Sequence, residues 1–261
     1  MARRPSGGAR GRMIKQVALL KARAGIARGE LIDRYEREHA PLVSLLLPHF
    51  SDYRRSYVVP GSLMGGAAAA LDFDVVTELW YEDADQLARL ARAGEDAESV
   101  RVSEARLFDP AASMVVTCDE FVTPGSRLQP RPAGHDGRPA IKLMGFLRKR
   151  ADMSREAFVA RYEQGHCAVA LDVLKKGDHP VFADYRRTFA RDEGGSSPPF
   201  DVLTEAWFWT EEDYRHFLAL HADPRIGAIL AEDEAALFDR ASITIFAADE
   251  HISAPAAQPI L

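Results

Sequence analysis

Two histidines, His39 and His166, carry the clearest chemical potential in this sequence. Imidazole titrates near neutral pH, so it can take and return a proton within one turnover. Isomerisation, aldol cyclisation and dehydration all need such a shuttle. Leu31, Ile32, Tyr35 and His39 fall on one helical face, as do Phe158, Val159, Tyr162 and His166. Each histidine therefore points from an apolar face toward a sheet, at the border of a space where a small ligand could sit. The competing reading is a buried ring whose hydrogen bond holds the helix end. Tyr53 and Arg55 lie two apart on an expected strand and share a face, as do Tyr185 and Arg187. A phenol and a guanidinium there could bind an enolate or carboxylate and neutralise developing oxyanion charge. The same pairs could instead hold two sheets together.

Glu78 with Trp80, and Glu205 with Trp207, are also spaced for one face of a strand. A carboxylate in a sheet is costly unless paired or functional. These four are candidates for substrate binding, against the alternative of a salt bridge to a repeated arginine. Tyr35 and Tyr162 read as core with a hydrogen-bonded hydroxyl. Cys167 adjoins His166, but sequence neighbours on a helix point apart. Other chemistries are excluded by pattern. No P-loop, GxGxxG or GxSxG motif is present. His216 and His221 miss the HExxH spacing, so no metal site is expected. The only cysteines, Cys118 and Cys167, form no CxxC and fit a reducing cytoplasm. A net charge of −6 advertises no nucleic-acid footprint. No apolar run approaches the ~20 residues of a membrane span.

The elements that position these side chains occur twice. Ile14–Leu42 aligns without a gap on Ile141–Val169, pairing Lys15 with Lys142, Tyr35 with Tyr162 and His39 with His166. FSDYRRSY from Phe50 matches FADYRRTF from Phe182, and FDVVTELWY from Phe73 matches FDVLTEAWF from Phe200. Leu107-Phe108-Asp109 matches Leu237-Phe238-Asp239, and Asp119-Glu120 matches Asp249-Glu250. Each repeat reads strand, amphipathic helix, two strands, a second helix from Asp83 or Glu211, and a last strand at Ser113–Cys118 or Ser242–Ala247. That order is βαββαβ, the ferredoxin-like arrangement. Ser154 is a good N-cap, whereas Ala27 in its place is a weak one. Such a sheet is covered by helices on one face only and must bury the other. The fold class is thus α+β, two ferredoxin-like repeats fused into a pseudo-two-fold α+β barrel. The expected divisions are a basic, Gly-rich tail at 1–12, repeats at 13–121 and 141–252, a Pro/Gly-rich linker at 122–140, and a C-terminal tail at 253–261. Translation could begin at Met13, and residues 1–12 are expected to be dispensable for folding.

A lysine-bearing first strand, the helical Tyr35-Glu36-Arg37-Glu38-His39-Ala40-Pro41-Leu42, the Tyr-Arg-Arg strand and the Phe-Asp-x-x-Thr-Glu-x-Trp strand together resemble the EthD family of the dimeric α+β-barrel superfamily. The resemblance covers nearly all of residues 13–252, once per repeat. It implies a barrel that related proteins build from two chains, and work without metal or organic cofactor. Relatives include lactone isomerases, polyketide cyclases and dehydratases of pigment pathways, and some superfamily members bind haem or are cofactor-free oxygenases. The expectation is therefore a cytoplasmic, cofactor-free lyase or isomerase acting on a small aromatic, lactone or polyketide-like compound. His39 would be its acid–base group, with Tyr53 and Arg55 on a substrate oxygen. The rivals are a haem-dependent or cofactor-free oxygenase and a non-catalytic ligand-binding barrel. The second repeat reads Gly165-His166-Cys167-Ala168, without the proline, so the first is favoured as the active copy. No nucleic-acid or membrane partner is expected, and a homodimer or higher homo-oligomer is left open.

Overall fold

In the computed structural model, residues 14–47, 50–64, 72–135, 137–193 and 197–253 are described. The expectations for residues 1–12, Met13 and residues 254–261 lie outside them. The first repeat runs β1 (Ile14–Leu20), α1 (Arg28–Arg34), a π-helical turn (Tyr35–His39), α2 (Ala40–Leu46), β2 (Asp52–Val58), β3 (Val75–Tyr81), α3 (Ala84–Ala91), α4 (Glu95–Glu104) and β4 (Met114–Val122). The second runs β5 (Ile141–Lys149), α5 (Arg155–Arg161), a π-helical turn (Tyr162–His166), α6 (Cys167–Val173), a two-stranded ribbon of β6 (Lys175–Lys176) and β7 (His179–Pro180), β8 (Asp184–Ala190), β9 (Val202–Phe208), α7 (Glu211–Ala222), α8 (Pro224–Ala235) and β10 (Phe238–Ser253). The caps follow their side chains. Ser154 accepts from the Ala157 amide at 3.2 Å, and Ala27 offers no side-chain cap.

Two features differ from the sequence reading. The first helix of each repeat is not a continuous α-helix but passes through a π turn, where the Ala40 amide reaches back to the Tyr35 carbonyl, as that of Cys167 does to Tyr162. Pro41 is tolerated just beyond it because proline is accepted in the first turn of the α-helix that restarts there. Ala168 permits the same turn in the second repeat, so proline is not its cause. The second helix of each repeat is also two helices rather than one. Gly94, with positive φ, breaks it in the first repeat, and Asp223 caps a fresh start before Pro224 in the second.

Eight strands close into one barrel in the order β1-β3-β2-β10-β5-β9-β8-β4. Within a repeat the order is that of a ferredoxin-like sheet. The last strand of each repeat closes the barrel by pairing with the other. Phe121 of β4 lies opposite Arg187 of β8, and His251 of β10 lies opposite Arg55 of β2. This double duty explains why β4 and β10 outrun the expected Ser113–Cys118 and Ser242–Ala247. Both sheets thereby lose their exposed edges. Helices cover the outside, where two apolar clusters centre on Tyr35 and Tyr162. A third, with Val17, Met144, Phe146 and Phe246, fills part of the barrel interior.

The rest of that interior is charged. Lys15 Nζ lies 2.6 Å from Glu78, 2.5 Å from Glu205 and 3.1 Å from Glu120. Lys142 Nζ lies 2.8 Å from both Glu78 and Glu205, and 2.9 Å from Glu250. Each lysine thus bridges carboxylates of both repeats, and all four central side chains are buried. Trp80 donates to Glu120 and Trp207 to Glu250, while the ammonium groups sit over the Trp80 and Trp207 rings. Burial pulls Lys15 down, but Glu205, Glu78 and Glu120 outweigh it and hold the group above the ordinary lysine value. Glu78 is pushed up by burial and then by the charge of Glu205, so the two glutamates titrate as a pair.

Candidate functional site

Between the first-repeat helices and the outer face of its sheet lies a cavity of about 270 Å³. Strands β1, β2 and β3 supply Gln16, Ala18, Tyr53, Thr77 and Leu79, the helix through the π turn supplies Tyr35, His39 and Val43, and α4 supplies Val100, Arg101 and Glu104. π turns insert one residue into a helix and recur at functional sites. Here the turn holds the Tyr35 and His39 rings 5.0 Å apart above the sheet. Tyr53 donates to the Tyr35 hydroxyl at 3.2 Å, and Tyr35 bonds Thr77 at 2.8 Å. His39 Nδ1 is 3.1 Å from the Ser103 hydroxyl. The second repeat has the matching cavity, lined by Tyr162, His166, Tyr185, Thr204 and Glu234, but it holds only about 110 Å³. His166 Nδ1 is 2.6 Å from the Asp233 carboxylate, which Arg161 also reaches at 3.1 Å. Asp233 stands where the first repeat has Ser103.

The two acid–base groups of the first cavity are set by burial. Desolvation, and then the charge of Arg55, push His39 down to about 4. Burial pushes the Glu104 carboxyl up. The cavity therefore holds a neutral imidazole and a carboxyl that binds its proton more tightly than an exposed one, an arrangement suited to moving a proton. The histidine shift also links folding to pH. Between about pH 6.5 and 4 the unfolded chain takes a proton that the folded one refuses. The contribution is complete above that window and is lost as pH falls through it. The stability advantage of the wild type over His39→Gln is expected to shrink by about 2 kcal/mol between pH 7 and 4.5. Urea titrations at the two values check this, and an unchanged difference would place the ring in water.

The other expected site residues divide sharply. His39 and Tyr53 meet at one cavity, and His166 and Tyr185 at the other. Arg55 and Arg187 do not line these cavities. Arg55 makes a two-pronged ion pair to Glu36, at 3.0 and 2.5 Å, and also donates to Ser253 of β10. Arg187 does the same with Glu163 and Thr123. Both thus pin a helix to a strand and brace the seam between repeats. Glu78, Trp80, Glu205 and Trp207 lie on the opposite sheet face, inside the barrel. One residue of strand alternation separates them from Thr77 and Leu79 in the cavity wall. Their partners are lysines rather than the repeated arginine expected. Cys167 is buried and pushed up to about 12, chiefly by burial, so it is a poor nucleophile.

Glu104, Glu234, Ser103 and Asp233 were missed in sequence. The signal was present: the Leu-Phe-Asp match extends upstream as Ser103-Glu104-Ala105 against Asp233-Glu234-Ala235. A repeated glutamate three residues before that block was the cue. Among the described residues no cluster of His, Cys, Asp and Glu is suited to a metal ion, and no helix is long and apolar enough to cross a membrane.

The family model described as EthD domain matches residues 23–111 and 150–241. Among curated proteins no sequence matches. Solved structures share the fold across nearly the whole chain. A Lactobacillus acidophilus protein provisionally assigned as a monooxygenase superposes with a TM-score of 0.51 at 13% identity, covering 94% of this chain and 97% of that one. A Fusobacterium nucleatum protein with the same provisional assignment gives 0.55 at 5% identity, covering 94% and 95%. An anthrone oxidase-like protein gives 0.51 at 9%, covering 95% and 94%. At these identities the likeness is one of fold.

Proposed function

The chain belongs to the EthD family in both of its halves, and from that premise we propose that the first repeat is an enzyme site for proton transfer on a small aromatic, lactone or polyketide-like compound. The observation that supports it is the presence, in one largely apolar cavity of about 270 Å³, of neutral His39 together with the burial-raised Glu104. His39 takes a proton from an acidic C–H beside a carbonyl. Glu104 delivers one to the oxygen or carbon where charge develops, and a later exchange with water restores both. Ser103 fixes the imidazole through Nδ1, which leaves Nε2 as the exchanging nitrogen. The Tyr53–Tyr35–Thr77 hydroxyl chain offers a donor to a substrate oxygen. Leu79, Val43 and Val100 bind the ring, full burial of such a group being worth roughly 1.5–3 kcal/mol. The outcome is an isomerisation, cyclisation or dehydration without net oxidation. The cavity lies at the small end of ligand pockets.

Deuterium wash-in tests the reading. A panel of hydroxylated naphthones and butenolides incubated with the protein in D₂O is expected to gain deuterium at the carbon beside the carbonyl, with no consumption of oxygen. The acid limb of the rate is expected near pH 4, well below that of an ordinary histidine. Oxygen uptake that tracks substrate loss would move the site to the cofactor-free oxygenases. Ligand-induced stabilisation without exchange across the panel would leave a binding barrel.

A further inference from the structure

The loop between the second and third strands of each repeat differs in length, and in the first repeat its beginning reaches the wall of the second cavity. In the first repeat the stretch from residue 59 to residue 72 is five residues longer than its counterpart, 191 to 199. Its beginning crosses to the second repeat. Val59 donates to the Ala247 carbonyl at 3.0 Å, and Met64 pairs with Ile245 by two main-chain bonds of 2.7 and 3.1 Å. The Met64 side chain packs into the second cluster, where the Tyr214 hydroxyl reaches its sulfur. Ile245, which lines the second cavity, is thereby half-buried.

The equivalent position in the first repeat is Val115, which lines the first cavity and is 62% exposed. Beside it, Met114 and Val102 are 43% and 47% exposed. Together with the buried Phe108 they line a groove of about 440 Å³. This groove shares Leu20, Arg101, Glu104 and Val115 with the His39 cavity, so the two are continuous. Three large apolar side chains held in water at the mouth of an apolar cavity are an unusual cost for a fold that pairs the same strand position with Met64 in its other half.

We infer that this groove is the outer half of the substrate site, so that the first repeat takes an elongated apolar molecule: a reacting ring against His39 and an apolar tail or second ring along Val102, Phe108 and Met114. The inference rests on the His39 cavity being the ligand site and adds the extent of the ligand. In the second repeat Met64 flanks the equivalent position, Ile245, and the smaller cavity there takes the more compact molecules. Arg101, at the junction, makes an ion pair with Glu98 on its own helix, so the groove beyond it selects for apolar character rather than for charge.

The test uses 4-alkylphenols as probes on the full chain, with affinity read by calorimetry. A methylene buried completely is worth about fourfold in affinity. 4-Pentylphenol is expected to bind at least tenfold more tightly than 4-ethylphenol. Val102→Glu and Met114→Glu, both at exposed positions that do not line the inner cavity, are expected to abolish that tenfold step while leaving 4-ethylphenol affinity unchanged. His39→Gln should weaken both probes alike. If 4-ethylphenol binds and 4-pentylphenol binds no tighter, the groove inference is overturned and the inner site stands. If the step survives both glutamate substitutions, the tail runs elsewhere and the inference is equally overturned. If neither phenol binds, the inner-site reading falls and takes the groove with it. Sedimentation of the wild type and both variants adds a last arm: a wild-type dimer that the variants convert to monomer would make the apolar patch an interface between copies, not a ligand groove.

Discussion

Replacing Lys15 with methionine is expected to cost roughly 3–5 kcal/mol of folding stability. The ammonium is fully buried and lies within 3.1 Å of three carboxylates, Glu78, Glu205 and Glu120. Methionine fills a similar volume, so the loss comes from charge. Glu78 and Glu205 are left facing each other with Lys142 alone between them. In a chain of this length such a loss lowers the melting temperature by roughly 10 °C. The pH dependence gives the sign of the cause. Without Lys15, burial and mutual repulsion raise the folded-state values of these carboxyls above their unfolded values. Stability of the variant is then present at low pH and is lost as pH rises through the folded values. The deficit against wild type should therefore shrink from pH 7 to pH 5. Adding Glu205→Gln should recover part of it at pH 7. A deficit under 0.5 kcal/mol, or one independent of pH, would mean that the network does not hold the barrel together.

The same network shows where the sequence was legible and where it was not. The repeat identified the architecture because Ile14–Leu42 and Ile141–Val169 carry identical chemistry at identical spacing. A one-sided sheet has to be covered, so barrel closure followed. Histidine and tyrosine were placed on the cavity face by helical and strand periodicity. The same periodicity put Glu78 and Trp80 on one face, but nothing local says which face of β3 points into a barrel. Val75 to Tyr81 is apolar at most positions of both parities, as a strand covered on both sides must be. Distinguishing the two needed the partner lysines, and these come from β1 and β5, 63 positions before Glu78 and Glu205 in each repeat. The π turn was hidden for a different reason. Tyr35 and His39 lie on one face of an α-helix anyway, so the inserted residue leaves no mark in the pattern.

Substituting His39 with alanine is expected to lower the rate of proton exchange by ~10²–10⁴-fold, whereas His166→Ala leaves most of it. Three differences between the repeats carry this asymmetry. The first cavity is larger, about 270 against 110 Å³. It opens beside exposed Val115, while Met64 bridges to Ile245 at the equivalent position of the second. And His39 is bonded to a neutral hydroxyl, whereas His166 is bound 2.6 Å from the Asp233 carboxylate that Arg161 also holds. A ring tied into that ion pair is a structural brace between α5–α6 and α8. Losing it removes one of the two groups bound to the buried Asp233 carboxylate and leaves Arg161 alone on it, so His166→Ala should cost roughly 1–3 kcal/mol of stability. His39→Ala should cost a similar or smaller amount through its single bond to Ser103. Rate and melting temperature measured on both variants therefore separate the roles. Equal rate losses would mean that both cavities turn over or are coupled through the barrel. Exchange that survives in His39→Ala would remove the histidine from the chemistry and leave Glu104→Gln as the variant on which the proton-transfer reading stands or falls.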